Sequence, residues 1–490
     1  MYGENTLTGK FILKYGLTRE FHQTFRLLNY SGISLPLAMT APFQQFIKTY
    51  IEKNNTVPLE ELKNKYDIHS VCDAQRKLFM VPQRKKDLSR QSGRKGIMMP
   101  GSLLPLAIKR FRKYPVVLIV TSSADKRKLN QHRLPPNFDI IDLTTLLKKN
   151  NSNHVKKTYE DKIKKVISRR RNHRVFGTSA FQNKITKWTS MAIKYTKVLE
   201  KIILDRNIKM ILSIDLISMP WMLLAQLSHK YKLSYIWIQN WLLTDHSVTP
   251  SLADHHCVWG ENYKQWLINK GIDENKISVV GSIRFELESP TTRMTRKELC
   301  QKLNIPEKNT LITFTTQGTF TSMLFPKIMP WFNKVLREFP VTIIIKSRTR
   351  DFSLYKKYER HPQVVLSPLP IHLYDTLKNT DYLMTISSTT SIEAASFNKG
   401  IIVLQPDLSI HFGKGYQGYH NHLARADAGP VIRNATDFYN VVKHLHKDKN
   451  AKEAIVKQSQ SFLKNSLDRT QLPSIQISRI VHKYLGDHSL

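Results

Sequence analysis

Apolar positions fall into short continuous runs separated by amphipathic stretches. The runs at 115–121 (PVVLIVT), 209–214 (KMILSI), 233–238, 310–316 (TLITFTT), 341–346, 382–386 and 401–405 read as strands buried on both faces. Shorter strands are predicted at 138–143 and 364–366. Helical periodicity predicts helices over 185–206, 220–231, 295–303, 325–338, 369–377, 392–398, 434–444, 451–467 and 474–485. Strands alternating with helices predict an α/β protein with parallel sheets.

The first 110 residues carry weaker patterns. Helices are predicted over 40–54, 58–66 and 72–80, and a mobile basic loop over 83–95. The run 97–108 (IMMPGSLLPLAI) is apolar but broken by Pro100, Gly101 and Pro105. It reads as a loop packed on the sheet, with a dip into a membrane surface as the alternative. Residues 148–174 hold eleven Lys or Arg against two acids. Within them Tyr159, Ile163, Val166 and Ile167 share one helical face, which suits an outer helix packed by its stripe or a basic amphipathic helix on an anionic membrane.

Composition adds one strong fact: 76 Lys plus Arg against 38 Asp plus Glu, a net charge of +38. Such a field attracts polyanions: nucleic acid, anionic lipid or an anionic glycan. No nucleic-acid-binding motif accompanies it, so no specific nucleic acid is expected. Cys72, Cys257 and Cys300 are far apart and match no metal spacing, which points to a reducing compartment and no metal site. No basic-then-apolar leader and no apolar run of about 18 residues is seen, so any membrane contact is expected to be peripheral.

Candidate chemistry gathers where strands meet helices. The stretch 381–407 (DYLMTISSTTSIEAASFNKGIIVLQPD) is one βαβ unit whose first strand ends in a hydroxyl-rich turn. Ligands of open α/β sheets bind at that edge, and phosphate suits a helix amino terminus. Ser387, Ser388 and Thr389 are therefore candidate phosphate contacts, and Glu393 a candidate for ribose hydroxyls. The alternative is plain helix capping, with Glu393 closing a capping box on Thr390. Gln317, Gly318 and Thr319 follow the strand at 310–316, and Arg348 follows the strand at 341–346, where a guanidinium would match pyrophosphate. His372 lies at the junction before the strand at 382–386. Asp215, Gln239 and Asn240 end strands in the first half, and Asp245 and His246 lie in the loop beyond. The Gly- and His-rich stretch 411–422 (HFGKGYQGYHNH) reads as a mobile loop over a cleft rather than a zinc site.

The order of these motifs resembles the GT-B glycosyltransferases, with similarity to their envelope-polysaccharide and teichoic-acid glycerophosphotransferase branches. The resemblance rests on "strand, SS, EA, G, apolar strand" at 381–407 and on IWIQNWLL followed by CVWGENYKQWLINKGIDENKISVVGSIRFE. Trp259-Gly260, Gly271-Ile272, Lys276-Ile277 and Gly281-Ser282 occupy the matching places, over roughly residues 209–444. It implies two Rossmann-like domains facing a central cleft: an acceptor domain at 1–285, a nucleotide-donor domain at 286–470 and a bracing helix at 471–490. The last strand of the first domain would be 279–281 and the hinge 282–290. One departure stands out: Asn240-Trp241 replaces the relatives' His-Gly after the glutamine.

The implied activity is transfer of a sugar, or a polyol phosphate, from a UDP- or CDP-linked donor. The acceptor would be a lipid-linked or anionic glycan at the inner face of the cell membrane, in the cytoplasm. Backbone amides near Gly318 and Ser387, with Arg348, would stabilise the leaving diphosphate. Asp245 or His246 would serve as base, and no bound metal or cofactor is called for. Two alternatives accompany this reading. One is a GT-B scaffold that lost its base with the His-Gly and binds an anionic glycan or partner enzyme. The other is a relative of UDP-N-acetylglucosamine 2-epimerase, ranked behind because expected acidic and histidine motifs at other turns are missing.

Overall fold

Two parallel sheets carry the architecture. The computed structural model describes residues 2–486 except 4, 55, 80–86, 89–92, 94, 150–152, 244–247, 289–290, 318, 348 and 407–416. In the first sheet are β1 (Gly96–Pro100), β2 (Val116–Val120), β3 (Phe138–Asp142), β4 (Ile208–Ser213), β5 (Ser234–Ile238), β6 (His255–Val258) and β7 (Ile277–Val279), in the order β3-β2-β1-β4-β5-β6-β7. Every pairing is parallel. Valine, isoleucine and leucine dominate β2 and all five of its residues are buried, as a strand covered by helices on both faces requires. The run at 97–108 is neither a packed loop nor a membrane segment. Its first residues form β1, a central strand, and Pro105 lies in the first turn of the helix Leu104–Arg110, where a missing amide hydrogen costs nothing.

Helices cover this sheet. The long connection from β3 to β4 holds α1 (Asn153–Ser168) and α2 (Ser179–Asp205), which pack together. Tyr159, Ile163 and Ile167 of α1 are buried in the hydrophobic core, so its apolar stripe is a packing face, while Lys157, Lys162, Lys164 and Lys165 are exposed. An aromatic cluster pins α2 to the helical layer of the first 66 residues: Phe21 stacks on Phe43 at 4.2 Å, and Phe181 meets both edge-on. α3 (Met219–Tyr231) joins β4 to β5.

A short helix, α4 (Ile283–Leu287), leads into the second sheet. Gly281 before it has a φ of +77°, and an added Cβ would lie 2.6 Å from the Asp468 carbonyl, so glycine is required there. The second sheet runs β10-β9-β8-β11-β12-β13, again all parallel. Its strands are β8 (Thr310–Thr315), β9 (Val341–Lys346), β10 (Val364–Leu366), β11 (Tyr382–Thr385), β12 (Gly400–Leu404) and β13 (Val431–Ile432). Helices α5 (Thr319–Glu338), α6 (Leu373–Asn379), α7 (Thr390–Ser396) and α8 (Gln417–Arg425) belong to this half. α5 begins six residues before the predicted start; Pro326 and Pro330 lie inside it and mask its true beginning. Residues 417–422 are helical, not part of a loop, and His422 is buried, while 411–416 lie outside the described residues.

The two last helices tie the halves together. α9 (Lys449–Ser466) packs on β12 and α7, and also on the helix Glu261–Asn269 of the first domain. α10 (Pro473–Leu485) packs back on the first domain, against β5 and the helix Leu104–Arg110. Glu286 of α4 accepts from the Ser474 amide and hydroxyl (both 2.6 Å) and from Lys109 Nζ (2.7 Å), fixing α4 to α10 and the first domain. No helix among the described residues is long and apolar enough to cross a membrane.

Candidate functional site

Both sheets reverse their strand order once, between β1 and β4 and between β8 and β11. The crevice at such a reversal, outside the carboxyl ends, is where open α/β sheets bind ligands. Here both crevices open into one cleft of about 1210 Å³. The first domain contributes Ser102 and Leu103 after β1, Asp215, Ile217 and Ser218 after β4, and Asn240 and Trp241 after β5. The second contributes Thr315, Thr316 and Gln317 at the end of β8, Lys346 and Ser347 at the end of β9, and Ser387, Ser388, Thr389, Thr390 and Glu393 after β11.

The two second-domain turns are stitched together. Gln317 Nε2 donates to Ser387 Oγ (2.7 Å), and the Ser387 amide donates to Gln317 Oε1 (3.0 Å). Beneath them the Thr315 hydroxyl bonds those of Thr385 (3.1 Å) and Thr390 (2.7 Å). Lys346 adds a cation to the same wall. Its Nζ donates to Ser367 Oγ (3.1 Å) and to the Ile371 carbonyl, and burial pushes its pKa down to about 8.

Glu393 is 3% exposed and does not close a capping box on Thr390. Its Oε1 instead accepts from Arg284 Nη2 of α4 at 2.7 Å, an ion pair joining the two domains across the back of the cleft. Oε2 is buried and makes no hydrogen bond of normal geometry among the described residues, with the Tyr374 hydroxyl close enough to the carboxyl to favour its ionised form. Burial raises the Glu393 carboxyl above the ordinary range, Glu288 adds to that, and Arg284 opposes it. Arg284 also reaches Glu288 Oε2 at 3.4 Å.

On the opposite wall, Asp215 Oδ1 accepts from the amides of Ile217 and Ser218, both at 3.0 Å, which sets the carboxylate's orientation at the end of β4. Gln239 is structural. Fully buried, it accepts from the Trp259 amide (2.9 Å) and donates to the Trp241 carbonyl (3.0 Å), so it ties β5 to β6. Asn240 and Trp241, which replace the expected His-Gly, face the cleft, with Trp241 37% exposed. Asp125 is likewise structural, accepting from the amides of Ser102, Thr121 and Ser122.

Of the residues expected from sequence, Gln317, Ser387, Ser388, Thr389 and Glu393 come together on one wall. His372 does not join them: its Nδ1 accepts from the Tyr374 amide (3.3 Å) as the N-cap of α6. Thr319 opens α5. Asp245, His246, Gly318 and Arg348 lie outside the described residues. Arg284 and Lys346 were not foreseen. Arg284 sits two residues after the Gly281-Ser282 pair, and that nearness to the hinge was the available signal. Asp215 was legible as a strand-end residue but not singled out.

Comparison with known proteins bears on the fold and on the second half. The family model for UDP-N-acetylglucosamine 2-epimerase matches residues 246–461. No curated protein matches the chain. Among solved structures, S. aureus MnaA in complex with UDP aligns at a TM-score of 0.51 with 14% identity, covering 81% of this chain and 98% of that one. UDP-GlcNAc 2-epimerase from Neisseria meningitidis bound to UDP-GlcNAc aligns at 0.50 with 12% identity, covering 79% and 100%. The wall teichoic acid polymerase TagF aligns at 0.46 with 11% identity over 91% and 98%, too low for the likeness to carry weight. The chain thus has the two-sheet GT-B-like α/β fold that these epimerases share.

Proposed function

We propose that the cleft binds a UDP-linked sugar on its second-domain wall and transfers the sugar to an acceptor hydroxyl held against the first domain. The observation that carries this is the stitched pair of turns at the β8/β11 reversal. It fixes Gln317 and Ser387 against each other and sets the hydroxyls of Ser387, Ser388 and Thr389 on one cleft wall, beside the cation of Lys346. A diphosphate leaving group needs donors fixed in advance, because they then stabilise developing charge without reorganising. The family match over the second half supports UDP as the nucleotide. Asp215, on the facing wall and fixed through Oδ1, is assigned as the base that accepts the acceptor's proton. The cleft's size also supports two substrates. About 1210 Å³ exceeds the roughly 300–1,000 Å³ typical of a single small-ligand pocket.

Epimerisation of the sugar on the same donor is the second reading, favoured by the family match at 246–461. It uses the same nucleotide wall and no acceptor. The test is a thermal-shift series with UDP, CDP, GDP and ADP on wild type and Gln317→Ala, then incubation with UDP-N-acetylglucosamine. A shift with UDP that Gln317→Ala loses supports the nucleotide wall; no shift with any nucleotide on folded protein overturns it. UDP release that requires an added acceptor supports transfer. Inversion at the sugar C2 without acceptor moves the assignment to epimerisation.

A further inference from the structure

The placement of α2 follows from topology. In a parallel sheet the chain leaving β3 must return to the amino edge before entering β4, and α2 makes that return. Its 27 residues span about 40 Å at helical rise, whereas the six residues of β4 span about 20 Å. The amino-terminal half of α2 therefore overhangs the carboxyl edge, the edge on which the cleft opens. Local contacts agree. Thr189, midway along α2, touches Met39 (Oγ1–Sδ 3.8 Å), and Ala41 two residues on lines the cleft. The tip of the overhang is the turn between α1 and α2.

That turn is basic. Arg169, Arg170, Arg171 and Arg174 are all exposed, with Lys164 and Lys165 beside them on the outer face of α1. None of the four arginines is in an ion pair among the described residues. The nearby acid, Glu20, is taken by His173 (3.2 Å). We propose that this arginine turn docks the first domain on an anionic bilayer surface, beside the cleft mouth. The contact is electrostatic, without insertion: the apolar stripe of α1 faces inward, and no large apolar residue described between 141 and 190 is exposed. The charges stand on the exposed outside of two packed helices, with no exposed aromatic to stack on bases, which suits an array of lipid phosphates better than a nucleic-acid strand. The inference goes beyond the transfer reading and stands whichever chemistry the cleft performs.

The test is sedimentation of the full chain with phosphatidylcholine vesicles, with and without phosphatidylglycerol. The patch variant replaces Arg169, Arg170, Arg171 and Arg174 with serine. A control replaces Lys447, Lys449, Lys452 and Lys457, exposed on the second domain, so that the net charge changes equally. Each basic residue at the surface accounts for about fivefold in partition. Wild type is expected to bind only the anionic vesicles. The patch variant is expected to bind about a hundredfold or more weaker, with the control within about tenfold of wild type. Equal losses in both variants would show that only diffuse net charge matters and overturn the proposal. So would no wild-type binding to anionic vesicles. A patch variant that keeps vesicle binding but loses inorganic polyphosphate would overturn it too, in favour of a soluble polyanion. An unchanged urea midpoint and UDP thermal shift in both variants separate these outcomes from misfolding and from failure of the nucleotide wall.

Discussion

Arg284→Met removes the cation that balances Glu393 and is expected to cost more stability at pH 7 than at pH 5. Breaking a buried ion pair by removing one partner costs about 3–5 kcal/mol. Two features lower that figure. The Arg284 side chain is 32% exposed, so water already screens part of its charge. The stranded carboxyl can also take a proton, which caps the penalty near 1.4 kcal/mol for each pH unit above an ordinary value of about 4.3. The cap is about 4 kcal/mol at pH 7 and about 1 kcal/mol at pH 5, so we expect a deficit of about 2–3 kcal/mol at pH 7 that shrinks below about 1 at pH 5. The sign is consistent with linkage. Glu393 is already raised in the native state, so the native chain binds more protons than the unfolded chain between the two pKa values, and stability falls as pH rises through that window. Without Arg284 the window extends upward and the deficit opens with pH. Urea denaturation at both pH values, on Arg284→Met, Glu393→Gln and the double variant, measures it. A deficit equal at both pH values, or one in the double variant equal to the sum of the two singles, would refute the reasoning.

Two further outcomes follow from buried groups elsewhere. His22 is completely buried, with Nε2 2.9 Å from the Thr40 hydroxyl, and burial pushes its pKa down to about 3. The unfolded state gains that proton near pH 6.5 and the native state does not, so stability falls with pH from about 6.5 toward 3; His22→Gln should flatten urea-derived stability between pH 6 and 5 by up to about 1.4 kcal/mol per unit. Gly429→Ala places a Cβ 1.7 Å from the Ile401 carbonyl oxygen, beside the β12–β13 pairing, and should cost more than about 4 kcal/mol, read as loss of soluble folded protein.

The sheets were legible wherever burial on both faces left an uninterrupted apolar run. β2, β8, β9 and β12 announce themselves that way, since alternation is not needed when helices cover both sides. β1 was missed because Pro100 and Gly101 end it at once, and a five-residue strand followed by a turn looks like a broken apolar loop. The second-domain wall of the cleft was legible because its residues directly follow strand ends: Ser387 to Thr389 after β11, and Gln317 two positions past β8. Arg284 was not, because its meaning lies 109 positions away at Glu393, and no local pattern signals a partner that distant. The ion pair of Glu393 was hidden for the same reason. Capping is local and ribose binding is a ligand property, whereas the hinge pair exists only once both domains are folded.

That double setting of Glu393 bears on how a donor-site experiment is to be interpreted. The residue lines the cleft, yet one of its oxygens is committed to the other domain's α4. A Glu393→Ala variant that loses its UDP thermal shift has lost either a contact to the nucleotide or the tie that holds the two walls at their working distance. Gln317 makes two bonds to Ser387 within the second-domain wall. Loss of the shift in Gln317→Ala therefore reports on that stitch between the two turns. Arg284→Met breaks the tie while leaving the carboxyl in place. If Gln317→Ala loses the shift and Arg284→Met keeps it, the second domain alone builds the nucleotide site. If both lose it, binding depends on the distance between the walls, and the cleft works only with its two halves held in register.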